Sequence, residues 1–159
     1  MITSRFLTED DYPLLAESLS TDEYHKETAL GFFLEEGTVT SVFEDVDGPV
    51  LFVRGQPLIH SEHQRFKMIR LDIQFLNNLN AKRNMKTMLT GFPLLEKRAK
   101  ENGFTGFIFM STAPFLRKFC VRRLGFLECG YEFLVKVLQE DLQEVLQDDK
   151  VDEQTEDVL

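Results

Sequence analysis

The sequence predicts a mixed α/β domain, a central sheet containing a parallel strand pair and flanked by helices. Three observations predict it. Residues 66–76, FKMIRLDIQFL, alternate apolar and polar side chains, the period of a strand with one face on a core. Amphipathic, helix-length stretches follow residues 76 and 111, each leading into another apolar run. Such crossovers make part of a sheet parallel. Asp47-Gly48 separates two strand-like runs, a hairpin signal that makes the earlier strands antiparallel.

Taken in order, Ile2–Leu7 reads as a short edge strand. Thr8 then caps a helix start, with Asp11 in the capping-box position, and Tyr12, Leu14, Leu15 and Leu19 supply a helical face. The pattern predicts a second helix from about Asp22 to Leu34, ended by Gly37. Thr38–Asp45 and Pro49–Arg54 are the hairpin strands. Residues 55–65 contain Gly55, Pro57 and two histidines and read as a loop. In the next strand Ile69, Leu71, Ile73 and Phe75 point one way, and Arg70, Asp72 and Gln74 the other. A helix follows over roughly Met85–Asn102, with Pro93 inside it. Thr105–Ser111 is a buried strand, Pro114–Leu124 a helix stopped at Gly125, and Phe126–Leu138 one long strand or two short ones.

A chain of 159 residues with 43% hydrophobic content and 15 phenylalanines buries a core in one domain. No apolar run reaches the roughly 20 residues of a membrane span. The N-terminus carries no secretory pattern, and Cys120 and Cys129 form no disulfide framework, so a cytoplasmic location is expected. The net charge of −9 is unevenly spread: residues 140–159 hold nine acids and one lysine, leaving 17 basic and 18 acidic groups in residues 1–139. The domain is therefore expected over 1–139, with 140–159 an acidic, flexible tail. No basic stripe suggests a nucleic-acid partner. His60 and His63 have the residue types of a metal site without a third and fourth ligand, so no metal is expected.

Several stretches together resemble the GNAT superfamily of acyl-coenzyme A-dependent N-acyltransferases. RFLTEDDYPLL is similar to that family's opening strand, turn and first helix. LRKFCVRRLGFLECGYEF resembles its late helix, which ends in Leu-Gly-Phe. The interval from Arg83 to Gly103-Phe104 matches the spacing from its pyrophosphate loop to the end of the next helix. The likeness covers about residues 2–138. It implies a parallel strand pair that splays apart, acetyl-CoA or another acyl-CoA as donor, and an amine as acceptor; an oligomer is compatible with it.

The family loop reads Gln/Arg-x-x-Gly-x-Gly/Ala, where small residues let a diphosphate approach converging N–H groups at a helix start. Here it is Arg83-Asn84-Met85-Lys86-Thr87-Met88: the arginine matches, and Lys86 and Met88 replace both small residues. The resemblance implies Arg83, Asn84, Lys86 and Thr87 as diphosphate ligands, Lys86 compensating as a cation. It implies Asp72 as a general base on the central strand, and main-chain N–H groups near Ile73 and Phe75 as donors to the thioester carbonyl if the strand bulges there. The family's tyrosine acid corresponds to Val121, which has no exchangeable proton, and its helix-capping asparagine to Pro114. Cys120 is an adjacent thiol, read either as acid or nucleophile or as a small buried side chain. Arg70 and Asp72 equally suit a plain ion pair on a solvated sheet face. The competing functional reading is a non-catalytic binding or assembly module of the same fold, its cleft filled by Met88 and phenylalanines.

Overall fold

The structure, a computed structural model, describes residues 1–58, 67–76, 80–130 and 132–138. His60, His63 and the acidic tail lie outside the described residues. Seven strands form one sheet: β1 (Thr3–Phe6), β2 (Val39–Asp45), β3 (Gly48–Leu58), β4 (Met68–Phe75), β5 (Gly106–Met110), β6 (Leu127–Glu128) and β7 (Phe133–Val137). Their order across the sheet is β1-β2-β3-β4-β5-β7-β6. Every neighbouring pair is antiparallel except β4–β5, which is parallel as the crossover helix requires.

Helices cover both faces. On one, α1 (Tyr12–Thr21) and α2 (Leu30–Phe33) bury Leu15, Leu19 and Phe33 against Val42 and Phe52. On the other, α3 (Ala81–Glu101) and α4 (Pro114–Arg123) bury Met88, Phe92, Ala99 and Cys120 against Leu51, Leu71, Ile73, Phe107 and Phe109. Strand alternation produces the division: Phe52 faces one layer, Leu51 and Val53 the other. The turn before α1 follows the capping logic, Asp11 Oδ2 accepting from the Thr8 N–H at 2.8 Å. The hairpin turns at Val46-Asp47, and Gly48 follows with φ +112°, a conformation that suits glycine.

Three expected elements differ. The helix expected over 22–34 shrinks to the four residues of α2, because Asp22 is extended and its Oδ1 accepts the Tyr24 N–H at 2.8 Å. This local side-chain turn outcompetes a helical start. The loop expected from residue 55 begins later: β3 continues to Leu58, with Pro57 opposite Ile69. The Leu76 N–H donates to the Val50 carbonyl, so even-numbered β3 residues bond β4 and the Pro57 nitrogen faces the β2 side. There β2 starts only opposite Gly55, and no ladder bond is lost. Finally, α3 begins at Ala81 and runs unbroken through Pro93.

Gly106 lies where β5 meets both neighbours. A Cβ there would stand 2.8 Å from the Lys136 carbonyl oxygen and 2.7 Å from the Met68 sulfur. The methionine can move and the carbonyl is held in the sheet. Gly106→Ala should lower the unfolding free energy by about 1–3 kcal/mol in urea titration; an unchanged midpoint would contradict this packing.

Candidate functional site: the β4–β5 cleft

The two parallel strands part company. β4 pairs with β3 along its whole length, Met68 to Phe75, while its pairing with β5 stops at Leu71–Phe109. Beyond that point β5 stays with β7, Met110 opposite Phe133. The Leu76 N–H donates toward β3, so by antiparallel alternation those of Gln74 and Asp72 do too, and the N–H groups of Ile73 and Phe75 face the gap. β4 reaches this point without a register shift against β3; a splay, not the anticipated bulge, turns these groups toward open space. The gap widens into a cleft of about 710 Å³. The 22–28 segment, β4 and the start of α4 form its walls.

The polar face of β4 looks into the α1–α2 layer. Asp72 is there as expected, but its two carboxylate oxygens are engaged: Oδ2 accepts from Arg54 at 3.2 Å and Oδ1 from Arg70 at 3.5 Å. It anchors two guanidinium groups at the cleft wall. Arg54 is completely buried and also donates to the Phe32 carbonyl at 2.7 Å, Glu35 at 2.8 Å and Gln56 at 3.2 Å. Its guanidinium carbon lies 3.8 Å from the centre of the Phe32 ring. Gln74, equally buried, donates through Nε2 to Asp22, Phe75 O and Ser18 O, and its Oε1 lies 2.6 Å from His25 Nδ1. Neither His25 nor Arg54 is among the site residues expected from the sequence. Arg54 closes the apolar run PVLFVR; a basic residue at a position that must face a sheet layer was the available signal.

The implied diphosphate ligands form no cradle. Residues 83–88 are helical, and Asn80 already serves the first turn: its Oδ1 accepts the Arg83 N–H and its carbonyl the Asn84 N–H, both at 3.1 Å. The N–H groups of Lys86, Thr87 and Met88 therefore lie within the helical ladder. The Arg83 side chain turns to the hairpin, where Nε and an Nη meet the Asp45 carboxylate at 2.6 and 2.7 Å. Asn84, Thr87 and Met88 are buried; Thr87 Oγ1 has no hydrogen-bond partner among the described residues. Lys86 is exposed. None of these side chains lines the β4–β5 cleft. Cys120 faces the core, and burial pushes its thiol up to about 12, which removes it as acid or nucleophile at neutral pH.

Two consequences are measurable. Removing the buried guanidinium in Arg54→Met leaves Asp72 Oδ2 and the Phe32 carbonyl without their donor, and should cost about 3–5 kcal/mol of unfolding free energy; a loss below about 1 kcal/mol would mean that these contacts are solvent-screened. The hydrogen bond from Arg83 holds the Asp45 carboxyl at about 2, below its ordinary 3.8. A carboxyl depressed on folding stabilises the fold above its unfolded value and loses that contribution as the pH falls through the folded one. Between about pH 4 and pH 2 the urea midpoint of wild type should therefore fall more steeply than that of Arg83→Met; parallel curves would refute the pairing.

No family model and no curated relative matches the sequence. Solved structures do match. An acetyltransferase of the GNAT family from Staphylococcus aureus Mu50 superposes with a TM-score of 0.63 at 13% identity, covering 87% of this chain and 100% of that one. Aminoglycoside acetyltransferase AAC(6')-Ib, solved with coenzyme A and kanamycin, gives 0.64 at 16% identity, covering 86% and 95%. A probable acetyltransferase from Staphylococcus epidermidis ATCC 12228 gives 0.59 at 14%, covering 87% and 100%. The seven-stranded sheet with its one parallel, splaying pair is thus the fold of the GNAT acetyltransferases.

Proposed function

We propose that the domain binds an acyl-CoA in the β4–β5 cleft and transfers the acyl group to an amine. The observation that carries this reading is the early end of β4–β5 pairing, which leaves the Ile73 and Phe75 N–H groups facing a cavity. Two such donors on a rigid strand edge suit a thioester carbonyl oxygen, which gains negative charge as a nucleophile adds to its carbon. The cleft's size accommodates a thioester and the arm that bears it. AAC(6')-Ib, solved with coenzyme A and an aminoglycoside, has the same fold, which supports the donor class without specifying an acceptor.

The lining favours a cationic acceptor. Asp22, Glu23, Asp72 and Glu132 contribute carboxylates, against Arg70 and His25 on the basic side, so the field attracts an ammonium more readily than an anion. Asp72 serves in this reading by holding Arg54 and Arg70 in place. At the nucleotide end, Lys86 and Lys82 are exposed cations near the start of α3; they contact phosphate as point charges, without the main-chain cradle of the family loop. Free Cys120 and Cys129 suit a reducing compartment such as the cytoplasm. No helix among the described residues is long and apolar enough to cross a membrane.

One observation favours the second reading, a non-catalytic binding or assembly module: residues 83–88 are closed by the helical ladder and by the Arg83–Asp45 pair. Calorimetric titration with acetyl-CoA separates the two. Heat of binding is expected at ligand concentrations up to about 1 mM, with thiol release when spermidine or kanamycin is added. Absence of heat would leave the module reading alone, and Lys86→Ala should weaken binding only a few-fold, as a solvated charge does.

A further inference from the structure

Resting on the acyl-transfer reading, we infer that His25 is the general base that deprotonates the acceptor amine, with Gln74 as its positioning residue. The Gln74 amide has only one workable orientation. Its Nε2 faces the Asp22 carboxylate at 3.0 Å, the Phe75 carbonyl at 2.8 Å and the Ser18 carbonyl at 3.3 Å. All three present acceptor oxygens, so the nitrogen must sit there and Oε1 must face the histidine. His25 Nδ1, 2.6 Å from that oxygen, must in turn carry the hydrogen. In the neutral ring this leaves the Nε2 lone pair free, the state a base needs.

Placement supports the role. His25 lines the cleft, and its side chain keeps 29% of its surface accessible, enough to meet a ligand. It stands over Gln74, and the residues on either side of Gln74 in β4 are Ile73 and Phe75, whose N–H groups face the gap. Acyl carbon and base thus share one strand position, the carbon at the edge of β4 and the imidazole on its α1–α2 face. An amine entering between the 22–28 segment and β4 approaches from the imidazole side. Asp22 Oδ2 lies 3.8 Å from Nδ1, and the other charged groups that line the same cleft are Glu23 from the segment of His25, Arg70 and Asp72 from β4, and Glu132 before β7.

The step balances without another reactant. The bound ammonium first releases one proton to solvent; the neutral nitrogen then uses its lone pair to form the N–C bond, and the proton now surplus on it passes to His25 Nε2. The C–S bond then breaks with its electron pair going to sulfur, and the thiolate receives from the imidazolium the proton that came from the amine. The products are an amide and a free thiol. A histidine that supplies and recovers the proton removes the need for the tyrosine acid that Val121 replaces.

His25→Asn tests this, since the asparagine amide can still donate to Gln74 while Nε2 is lost. With acetyl-CoA and spermidine, kcat should fall by about 10²–10⁴-fold, with acetyl-CoA affinity by calorimetry and thermal stability unchanged. The acid limb of the wild-type rate–pH profile should disappear in the variant. Nitrogen-15 spectra of the ligand-free wild type should show Nδ1 protonated and Nε2 bare, and Gln74→Leu should abolish that preference. Wild-type thiol release retained in His25→Asn, or a ring protonated on Nε2 alone, would overturn the assignment and leave the acyl-transfer reading standing. No acetyl-CoA binding, or no thiol release by wild type, would overturn the reading itself and the assignment with it.

Discussion

Everything at the site depends on β4 having a full partner on one side and half a partner on the other. β3 holds it from Met68 to Phe75, whereas β5 leaves after Leu71. An edge created in this way is normally a liability, because unpaired N–H groups invite water or another strand. Here it is buried within the sheet and fixed from below: Ile73 is 5% exposed and packs into the larger core with Phe107 and Phe109. The strand is held in place, and the Ile73 and Phe75 N–H groups stay directed at the cleft. Donors that need no reorganisation are the kind that stabilise developing charge.

The polar face of the same strand solves a different problem. The segment between α1 and β2 contains only four helical residues, α2, and has little secondary structure to hold it. Two buried polar side chains tie it down at both ends. Gln74 reaches Ser18, Asp22 and His25, while Arg54 reaches the Phe32 carbonyl and Glu35. Burying a guanidinium costs several kcal/mol, and its attraction to carboxylates offsets this only when the geometry is good. Arg54 meets that condition with four hydrogen-bonded partners and the Phe32 ring. What these contacts secure is the position of one cleft wall relative to the other.

The fold was legible in the sequence because its signals are periodic. The alternation of 66–76, the hairpin at Asp47-Gly48 and the two crossover helices were each read from spacing, and together they fix strand direction. The errors fall where a single side chain decides. Asp22 replaces a helix start by accepting the Tyr24 N–H, and Pro57 remains in a strand because its nitrogen faces the open side. Alternation placed Asp72 on one face of its strand and Ile73 and Phe75 on the other, whereas the expectation of a cleft beside them came from the resemblance to the GNAT fold. The tie between His25 and Gln74 joins positions 49 residues apart and leaves no local pattern, and Arg54 gave only the weak sign of a charge in an apolar run.

The start of α3 shows why the loop residues are those they are. Asn84, Thr87, Met88, Gly91 and Phe92 are its buried positions over the first half, spaced by three and four as a helix face demands. Once the helix begins at Ala81, positions 87 and 88 are no longer a loop that a phosphate approaches; they lie on the face that must fill the core. A small residue at 88 would then leave a cavity in the cluster that holds Phe92, so methionine at 88 and a helix that begins at Ala81 belong together. Arg83 follows the same logic, since a guanidinium in the first turn reaches the hairpin and pins it through Asp45. The positive end of the α3 dipole lies at Asn80 and Ala81, while β3 and the core hold the geometry of residues 72–75. The cleft at residues 72–75 and the start of α3 are therefore held by separate contacts, the first by β3 and the core, the second by Asn80 and Asp45.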